Sequence, residues 1–302
     1  MKQIKTYLLS LAACILSLIT IVLMVSFSDN RNVPSWSDIF HLFSGQEEEI
    51  TDEDYIKFID VGQGDSILIS SNGYNCMIDF GNQSDFSSEL LYNLKRYGVK
   101  ELDCMVITHY DSDHAGGAAK VVEAMNVYYA LLPEQDDTSK NDFYDLQYSI
   151  GNNVTEVVTP KTGTVINIGD FEITVLAYNK NSNDNDSSII LMAQIDSKKF
   201  LLTGDAGAGV EKQLIADGID VDCDVFKVAH HGSRNSNCQE FVSAASPEYA
   251  VISCGASNQY GHPHEEVLET LEKANSKVYR TDRSGDITFY IENSSIRAET
   301  EY

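Results

Sequence analysis

The 302-residue sequence has no excess of basic residues. Its 21 Lys and Arg residues stand against 46 Asp and Glu residues, which gives a formal net charge of −25. Non-specific affinity for nucleic acid comes mainly from lysines and arginines that neutralise phosphates, so this balance excludes a broad electrostatic grip on a phosphate backbone. Any recognition of phosphate must be local, through metal ions or a few Arg and Lys side chains.

Paired cysteines and internal repeats are also absent. No Cys-x-x-Cys pair occurs, which excludes a zinc ribbon and a thioredoxin-like motif. The six cysteines, most of them expected in the core, are Cys14, Cys76, Cys104, Cys223, Cys238 and Cys254. A hydrophobic fraction of 43% with 22% charged residues is typical of a globular chain with a sizeable core.

A long apolar run lies near the N-terminus. Residues 7–27 contain no charge and, at about 1.5 Å per helical residue, are long enough to cross a membrane. Lys2 and Lys5 precede this run and only Arg31 follows closely, so the positive-inside rule places the bulk of the chain outside the cytoplasm. The alternative is a lipoprotein anchored at Cys14, because residues 11–14 read Leu-Ala-Ala-Cys.

These patterns divide the chain into three segments. Residues 1–28 are predicted to form a membrane anchor of one transmembrane helix, and residues 29–54 a polar linker that ends in an acidic run. Residues 55–302 are predicted to form the folded domain.

Strand and helix patterns alternate along that domain. Strand-like runs cover residues 55–61, 66–70, 74–79, 104–108, 128–132, 154–159, 171–176, 188–195, 199–203 and 225–229. Helical spacing covers residues 89–97, 115–125, 210–216 and 265–274. Many strands with helices between them predict an α/β fold with two sheets covered by helices on their outer faces.

Residues 108–117 concentrate metal-ligand side chains. His109, Asp111, Asp113 and His114 follow directly after the apolar run 104–108. Imidazole nitrogens and carboxylate oxygens bind zinc and similar divalent ions, and a turn at a strand end can aim several of them inward. The alternative is an acidic surface loop with two incidental histidines.

The other histidines collect at two similar places. His230 and His231 follow the run 225–229, His262 and His264 lie within residues 260–264, and His41 lies apart. Histidines that follow several strands favour one metal site assembled from several strand ends, as in metallohydrolases.

Six motifs, in this order, resemble the metallo-β-lactamase superfamily and within it the C-terminal hydrolase domain of ComEC/Rec2-type competence proteins. They are Asp-Val-Gly-Gln-Gly-Asp-Ser (60–66), Ile-Asp-Phe-Gly (78–81), residues 108–117, Leu-Thr-Gly-Asp (202–205), Ala-His-His-Gly-Ser (229–233) and Tyr-Gly-His-Pro-His (260–264). The resemblance covers about residue 55 to the C-terminus. It implies an αββα sandwich with a dinuclear metal site at one sheet edge.

The resemblance also implies roles for individual residues. His109 and Asp111 are expected to bind one metal, Asp113 and His114 the second, with Asp205 as the bridging carboxylate and His231 as a further ligand. The alternative for Asp205 is a cap on the helix that follows it. Asp113 and His262 are expected to act in catalysis, and His262 could donate a proton or a hydrogen bond to the substrate.

Other residues of the motifs are less closely tied to chemistry. Asp79 is expected to tighten the turn beneath the metals, while Asp65 and Ser66 have no clear role. His264 is expected to belong to a turn before the helix at residue 265, and the same alternative applies to His262. Candidate substrate contacts are Ser233, Arg234, Asn258 and Tyr260.

The sequence departs from the common superfamily pattern at two places. Many members carry histidine at the position of Asp111, whereas the competence-type branch resembles this chain in having aspartate there. A further metal-binding histidine is missing before the strand at residue 188, where Asn185, Asp186 or water could substitute. A more oxygen-rich site of this kind holds two divalent ions, expected to be zinc, with manganese as the alternative.

The function expected from the resemblance is that of a membrane-anchored dinuclear-metal hydrolase, a phosphodiesterase or nuclease that uses metal-bound hydroxide. DNA is one expected substrate. The acidic composition instead favours a small phosphodiester or a phosphocholine-like headgroup. A non-catalytic surface binding module is the alternative from another class, β-lactam hydrolysis has no support in the sequence, and no protein partner can be inferred.

Overall fold

Two β-sheets lie face to face at the centre of the fold, which the computed structural model describes for residues 53–83, 86–134, 141–180 and 185–302. The predicted anchor and all but the last two residues of the predicted linker fall outside these ranges. Within them, no helix combines the length and the apolar character needed to cross a membrane.

The strands divide between an eight-stranded and a seven-stranded sheet. In chain order the first six strands are β1 (Asp54–Phe58), β2 (Ser66–Ser71), β3 (Tyr74–Phe80), β4 (Glu101–Val106), β5 (Asn126–Leu131) and β6 (Val154–Val158). The next seven are β7 (Val165–Ile168), β8 (Phe171–Ala177), β9 (Ile190–Ile195), β10 (Lys198–Leu202), β11 (Val225–Lys227), β12 (Tyr249–Ile252) and β13 (Lys277–Arg280). The last two are β14 (Ile287–Glu292) and β15 (Ser295–Thr300). The spatial orders are β15-β14-β1-β2-β3-β4-β5-β6 and β13-β12-β11-β10-β9-β8-β7.

Helices cover the outer faces of both sheets. They are α1 (Phe86–Arg96), α2 (Ser112–Ala115), α3 (Ala118–Ala124), α4 (Asn141–Asn153), α5 (Ala208–Ala216), α6 (Gln239–Ala245), α7 (Glu265–Lys273) and α8 (Thr281–Ser284). Apolar side chains of α1, α3 and α4 pack on the outer face of the first sheet, and those of α5, α6 and α7 on the outer face of the second.

The core between the sheets follows from the alternation of apolar side chains along the strands. In β4, Cys104 and Val106 point to the second sheet, while Leu102 and Met105 point to the helices. From Cys104 to Ile107 both faces of the chain are buried, so this part of the sequence is apolar without alternating polar residues. The expected αββα arrangement is confirmed.

Two details differ from the sequence-based prediction. The expected single helix over residues 115–125 is two helices, α2 and α3, separated at Gly116 and Gly117. A side chain at Gly117 would place its Cβ 2.2 Å from the carbonyl oxygen of Phe80. Only glycine therefore fits where the chain passes the end of strand β3. Several elements that the sequence patterns do not indicate are also present, among them α4, α6 and the strands from β12 onward.

Parallel strand pairs bring distant loops to one edge of the sandwich. Strand β4 runs parallel to β3 and β5 in the first sheet, and β11 runs parallel to β10 and β12 in the second. The carboxyl ends of parallel strands meet at the same edge of a sheet, and loops there commonly form the binding site. The polar residues that follow β3, β4, β10 and β11 therefore converge.

The loop between β1 and β2 is locked onto this edge by close backbone approach. Asp65 donates its backbone N–H to the carbonyl oxygen of Asp113 at 3.0 Å. A Cβ on the preceding Gly64, which has a φ of +140°, would lie 2.3 Å from that same oxygen. Only glycine permits both the backbone angle and the contact.

Replacing Gly64 by alanine should therefore destabilise the fold more than the same change at Gly73. Gly73 also has a positive φ, of +81°, but open space around it. We expect Gly73→Ala to lose about 1 kcal/mol from backbone strain and Gly64→Ala roughly 1–3 kcal/mol more from overpacking. Urea unfolding of both variants measures the difference, and equal losses would contradict the close-contact explanation.

Candidate metal centre

Three imidazoles from two sheets face one another at the shared edge. His109 and His114 come from the segment after β4, and His231 from the loop after β11. The ring centroids of His109 and His114 lie 4.1 Å apart, and those of His114 and His231 lie 5.3 Å apart. All three side chains are at most 1% exposed.

The proton position on His109 is set by Thr108. The Thr108 hydroxyl donates to Asp79 Oδ2 at 2.6 Å and lies 3.1 Å from His109 Nδ1. Because the hydroxyl hydrogen is directed at Asp79, its oxygen accepts from His109 Nδ1–H. The neutral ring therefore carries its proton on Nδ1 and leaves Nε2 with a lone pair.

The other two rings are held in the same way. His114 Nδ1 donates to Asp79 Oδ2 at 2.7 Å. His231 Nδ1 donates to the Ser253 carbonyl oxygen at 2.9 Å, a partner that can only accept. Each imidazole is thus oriented through Nδ1 by a neighbouring oxygen, as is usual for histidines that bind metal.

The Nε2 atoms of all three rings are buried and have no hydrogen-bond partner. One Asp205 oxygen, Oδ1, is also buried without one. Buried polar atoms are nearly always satisfied, so this set points to a bound group. Ligand atoms of His109, His114 and Asp205 lie within 4.8 Å of one another, as do those of Asp113, His114 and His231. Imidazole nitrogens with carboxylate oxygens are a donor set that suits divalent cations.

The structure brings all six sequence-predicted ligands to this cluster. Asp205 is central, with Oδ1 3.2 Å from His114 Nε2 and Oδ2 3.6 Å from His231 Nε2. Asp113 Oδ2 lies 3.3 Å from His231 Nε2, and Asp111 Oδ2 lies 3.6 Å from His109 Nε2. Asp205 thus contacts both halves of the cluster.

Proton affinities reflect the excess of carboxylates. Burial lowers the pKa of a histidine, but Asp205 and Asp79 raise the pKa of His114 well above its ordinary value. Against the same effect of burial, Asp205, Asp113 and Asp65 raise the pKa of His231 to about 10. Burial raises the pKa of Asp205, but His114 and His231 hold it well below the ordinary range.

The loop that carries His231 has strained backbone angles. His230 and His231 have φ values of 51° and 53°, a left-handed conformation that non-glycine residues rarely adopt. Asn237 holds this loop: its side chain accepts from the backbone N–H of Ala229 at 2.9 Å and donates to the Ala229 carbonyl at 3.0 Å. The buried Glu211 carboxylate accepts the backbone N–H of Asn237. Neither supporting residue carries a recognisable signal in the sequence.

Behind His231 lies a buried ion pair that the sequence did not reveal. Lys227 is 0% exposed, and its Nζ lies 3.0 Å from Asp65 Oδ2. The other oxygen, Asp65 Oδ1, lies 3.4 Å from His231 Nδ1. Burial raises the pKa of Asp65, but Lys227 and His231 hold it below the ordinary value. A lysine inside the otherwise apolar run 225–229 was the available signal.

The turn residue Asp79 orients its neighbours in the cluster through hydrogen bonds. Its two oxygens accept from the Thr108 backbone N–H, the Thr108 hydroxyl and His114 Nδ1. This agrees with the expectation that Asp79 tightens the turn beneath the metals.

Before β9, where the sequence lacks a further histidine, Ser188 supports the cluster from behind. Its Oγ lies 3.4 Å from His109 Nδ1 and accepts the Asp205 backbone N–H at 3.1 Å. Of the two suggested substitutes for that histidine, Asp186 accepts the backbone N–H of Gly207 through Oδ1 at 3.0 Å.

A polar cleft of about 290 Å³ opens beside the cluster. Its lining residues are Asn185, Asp186, Asp205, Gly207, Ala208, Gly209, His230 and Asn235. His230 is partly exposed, and its Nε2 lies 3.6 Å from Asp205 Oδ2. The adjacency of His230 to His231 in sequence is the signal that could have marked it as a site residue.

His262 lies at the rim of the cluster, beside His230 and His231. Its ring centroid is 6.2 Å from that of His231. Burial and the neighbouring imidazoles His231 and His230 lower the pKa of His262 to about 4. The ring is therefore neutral at physiological pH, which favours a hydrogen-bond donor over a proton donor. His264 occupies the N-cap position of α7, and its Nδ1 accepts the backbone N–H of Arg234 at 3.2 Å.

The four predicted substrate contacts have different surroundings. Ser233 is buried in its loop, and the Asn258 side chain holds the 255–262 loop through Gly255 and His262. Arg234 is exposed and pairs with Glu266 at 3.4 Å. Tyr260 is 55% exposed and stacks on His262, with centroids 5.6 Å apart and an interplanar angle of 22°. Of the four, Tyr260 and Arg234 present side chains to solvent.

Residues 59–256 match the family model described as the metallo-beta-lactamase superfamily. The chain is 30% identical over 263 residues to ComE operon protein 3 of Bacillus subtilis (strain 168). This match covers 81% of this chain and 34% of that protein. It is 32% identical over 242 residues to competence protein ComA of Neisseria gonorrhoeae, covering 80% and 33%. The chain thus spans about a third of the length of these curated relatives.

The fold is also similar to that of a solved structure. Igni18, described as a novel metallo hydrolase from the archaeon Ignicoccus hospitalis, superposes with a TM-score of 0.52 at 18% identity. The match covers 79% of this chain and 100% of that chain. At this identity the likeness concerns the fold alone.

Cation uptake at this cluster should displace protons. With a pKa of about 10 for His231, against an ordinary value of 6.5, the chain without metal carries a proton on that ring at neutral pH. Because Mn²⁺ must displace this proton, its affinity should rise as the pH rises toward about 10. Titration of the EDTA-treated chain in dilute buffer with an indicator dye should detect proton release. An affinity independent of pH and no release would show that these imidazoles do not bind the ion.

Proposed function

The chain belongs to the metallo-beta-lactamase superfamily and is a metal-dependent hydrolase related to competence proteins, and from this premise we propose that it hydrolyses phosphodiesters. The observation that carries the proposal is the set of three oriented imidazoles whose buried Nε2 atoms lie near Asp205 and have no hydrogen-bond partner. A degenerate binding module has no need to keep such a set intact.

The proposed ligands divide into two groups that share one residue. His109 and Asp111 would hold one divalent ion, Asp113, His114 and His231 the other, and Asp205 would contact both. Bound there, divalent ions supply Lewis acidity toward a phosphoryl oxygen and lower the pKa of water. We propose zinc as the natural ion, with manganese as the alternative that the carboxylate-rich set admits.

The remaining residues of the site bind and orient the substrate. The polar cleft beside Asp205 accommodates one side of a phosphodiester, with His230 in its wall. His262, neutral at physiological pH, is placed to donate a hydrogen bond from the rim.

We propose a nucleic acid strand as the substrate because of the exposed ring of Tyr260. Its parallel stack on His262 leaves one face open, and a nucleobase presents a matching flat face. A choline group would be better recognised by a cage of several aromatic walls. Stacking also suits an acidic protein, since it needs no basic groove.

The proposal also includes membrane attachment of the catalytic domain through residues 7–27, outside the cytoplasm. That segment lies outside the described residues, and its apolar sequence supports the assignment.

Metal analysis of the purified 302-residue chain tests the enzymatic proposal. We expect two divalent ions per chain and hydrolysis of bis-p-nitrophenyl phosphate, and Asp205→Ala should reduce the rate by at least about 10²-fold because it removes the shared carboxylate. Fewer than one ion per chain, together with no hydrolysis, would leave the non-catalytic binding module as the function.

Tyr260→Ala tests the substrate assignment. Loss of one stacked base should raise the KM for a single-stranded oligonucleotide about tenfold. Tyr260→Phe keeps the stacking face and should behave as wild type, and an abasic oligonucleotide should not respond to either change. If the alanine variant has an unchanged KM for the base-bearing strand, a small phosphodiester becomes the better substrate class.

A further inference from the structure

The buried ion pair between Lys227 and Asp65 has no part in the ligand set proposed above. Lys227 ends strand β11, and its Nζ also donates to the Val228 carbonyl at 2.9 Å. Both side chains are essentially inaccessible, at 0% for Lys227 and 2% for Asp65. Removing two charges from water costs several kcal/mol for each ion, so a buried pair is weak as a device for stability. Its position suggests a different purpose.

The pair is joined to the metal cluster on two sides. The backbone of Asp65 is tied to Asp113 by the hydrogen bond described above, and its Oδ1 is near His231. Ligand atoms of Asp65 also lie within 4.8 Å of those of Asp205 and His231. Lys227 therefore holds the Asp65 carboxylate, which is close enough to join the cluster. The ammonium group of Lys227 also places a fixed positive charge directly behind Asp65.

The charges of the cluster give this lysine a role. Five carboxylates surround the three imidazoles: Asp65, Asp79, Asp111, Asp113 and Asp205. Five negative charges and the one positive charge of Lys227 leave a formal charge of −4 with neutral imidazoles. Two divalent cations cancel this charge. Without Lys227 the filled site would keep one uncompensated negative charge in a buried environment.

We propose that Lys227 is a built-in counter-ion. Its positive charge reduces the negative charge of the site to the value that two divalent cations neutralise, and it thereby lowers the affinity of the site for these cations. Asp65 transmits this effect, because it lies between the ammonium and His231. The inference rests on the proposed two-metal site and concerns how the chain sets that site's charge.

Mn²⁺ titration of metal-free wild type and variants by calorimetry tests the inference. Lys227→Met removes a nearby positive charge, so Mn²⁺ should bind about tenfold more tightly. Asp65→Asn removes a negative charge, so Mn²⁺ should bind more weakly by a similar factor. The double variant should lie within about twofold of wild type, since the two changes offset each other.

Lys198→Met is the matched control. Lys198 lies at the opposite end of the neighbouring strand β10 and pairs with Asp224 at 2.7 Å. The substitution Lys198→Met removes one lysine from an ion pair far from the site and should leave Mn²⁺ affinity unchanged. If Lys227→Met does not fold, Lys227→Gln keeps a hydrogen-bond donor for Asp65 and removes the charge alone.

The direction of the change decides the outcome. A lysine that only supports the structure would, when replaced, loosen the ligands and weaken Mn²⁺ binding. Weaker or unchanged binding in the Lys227 variants, with two ions bound by wild type, would overturn the counter-ion role and leave the proposed function intact. Fewer than one ion bound by wild type would remove the proposed function itself.

Discussion

The fixed orientation of three imidazoles is the constraint on which the site depends. Each ring is held through Nδ1, by Thr108, by Asp79 or by the Ser253 carbonyl. The buried Nε2 atoms consequently point at one another and at Asp205. Without these oxygen partners, the two imidazoles and two carboxylates of residues 109–114 would form only a polar loop. The sandwich fold supplies the partners because its parallel strands end at one edge.

This arrangement explains why the chain tolerates unfavourable local features nearby. Three of these features have an energetic cost: the left-handed backbone at His230 and His231, the close contact of Gly64 with Asp113, and the burial of Lys227 in the sheet. They occur around one site, where a hydrogen-bonded loop held by Asn237 and Glu211 keeps them in place. The acidity of the whole chain has a counterpart here, in a site that needs cations to become neutral.

The residues that meet in the cluster could be predicted from the sequence, because each follows an apolar strand within a recognisable motif. The two-sheet architecture could be predicted for the same reason, since long apolar runs alternate with helical spacing. Short or weakly patterned elements could not, and α4, with Leu146 and Ile150 as its described core residues, is an example. The residues that support the cluster from behind could not be predicted either. Only their contacts with His109, Ala229 and Asp65 in the folded chain assign a role to Ser188, Asn237 and Lys227.

The most direct test of this account is anomalous diffraction from crystals of the Mn²⁺-loaded chain. The account predicts two anomalous peaks, with His109 Nε2 beside one, His114 Nε2 and His231 Nε2 beside the other, and Asp205 between them. Coordination through Nδ1, or anomalous peaks away from these residues, would contradict it.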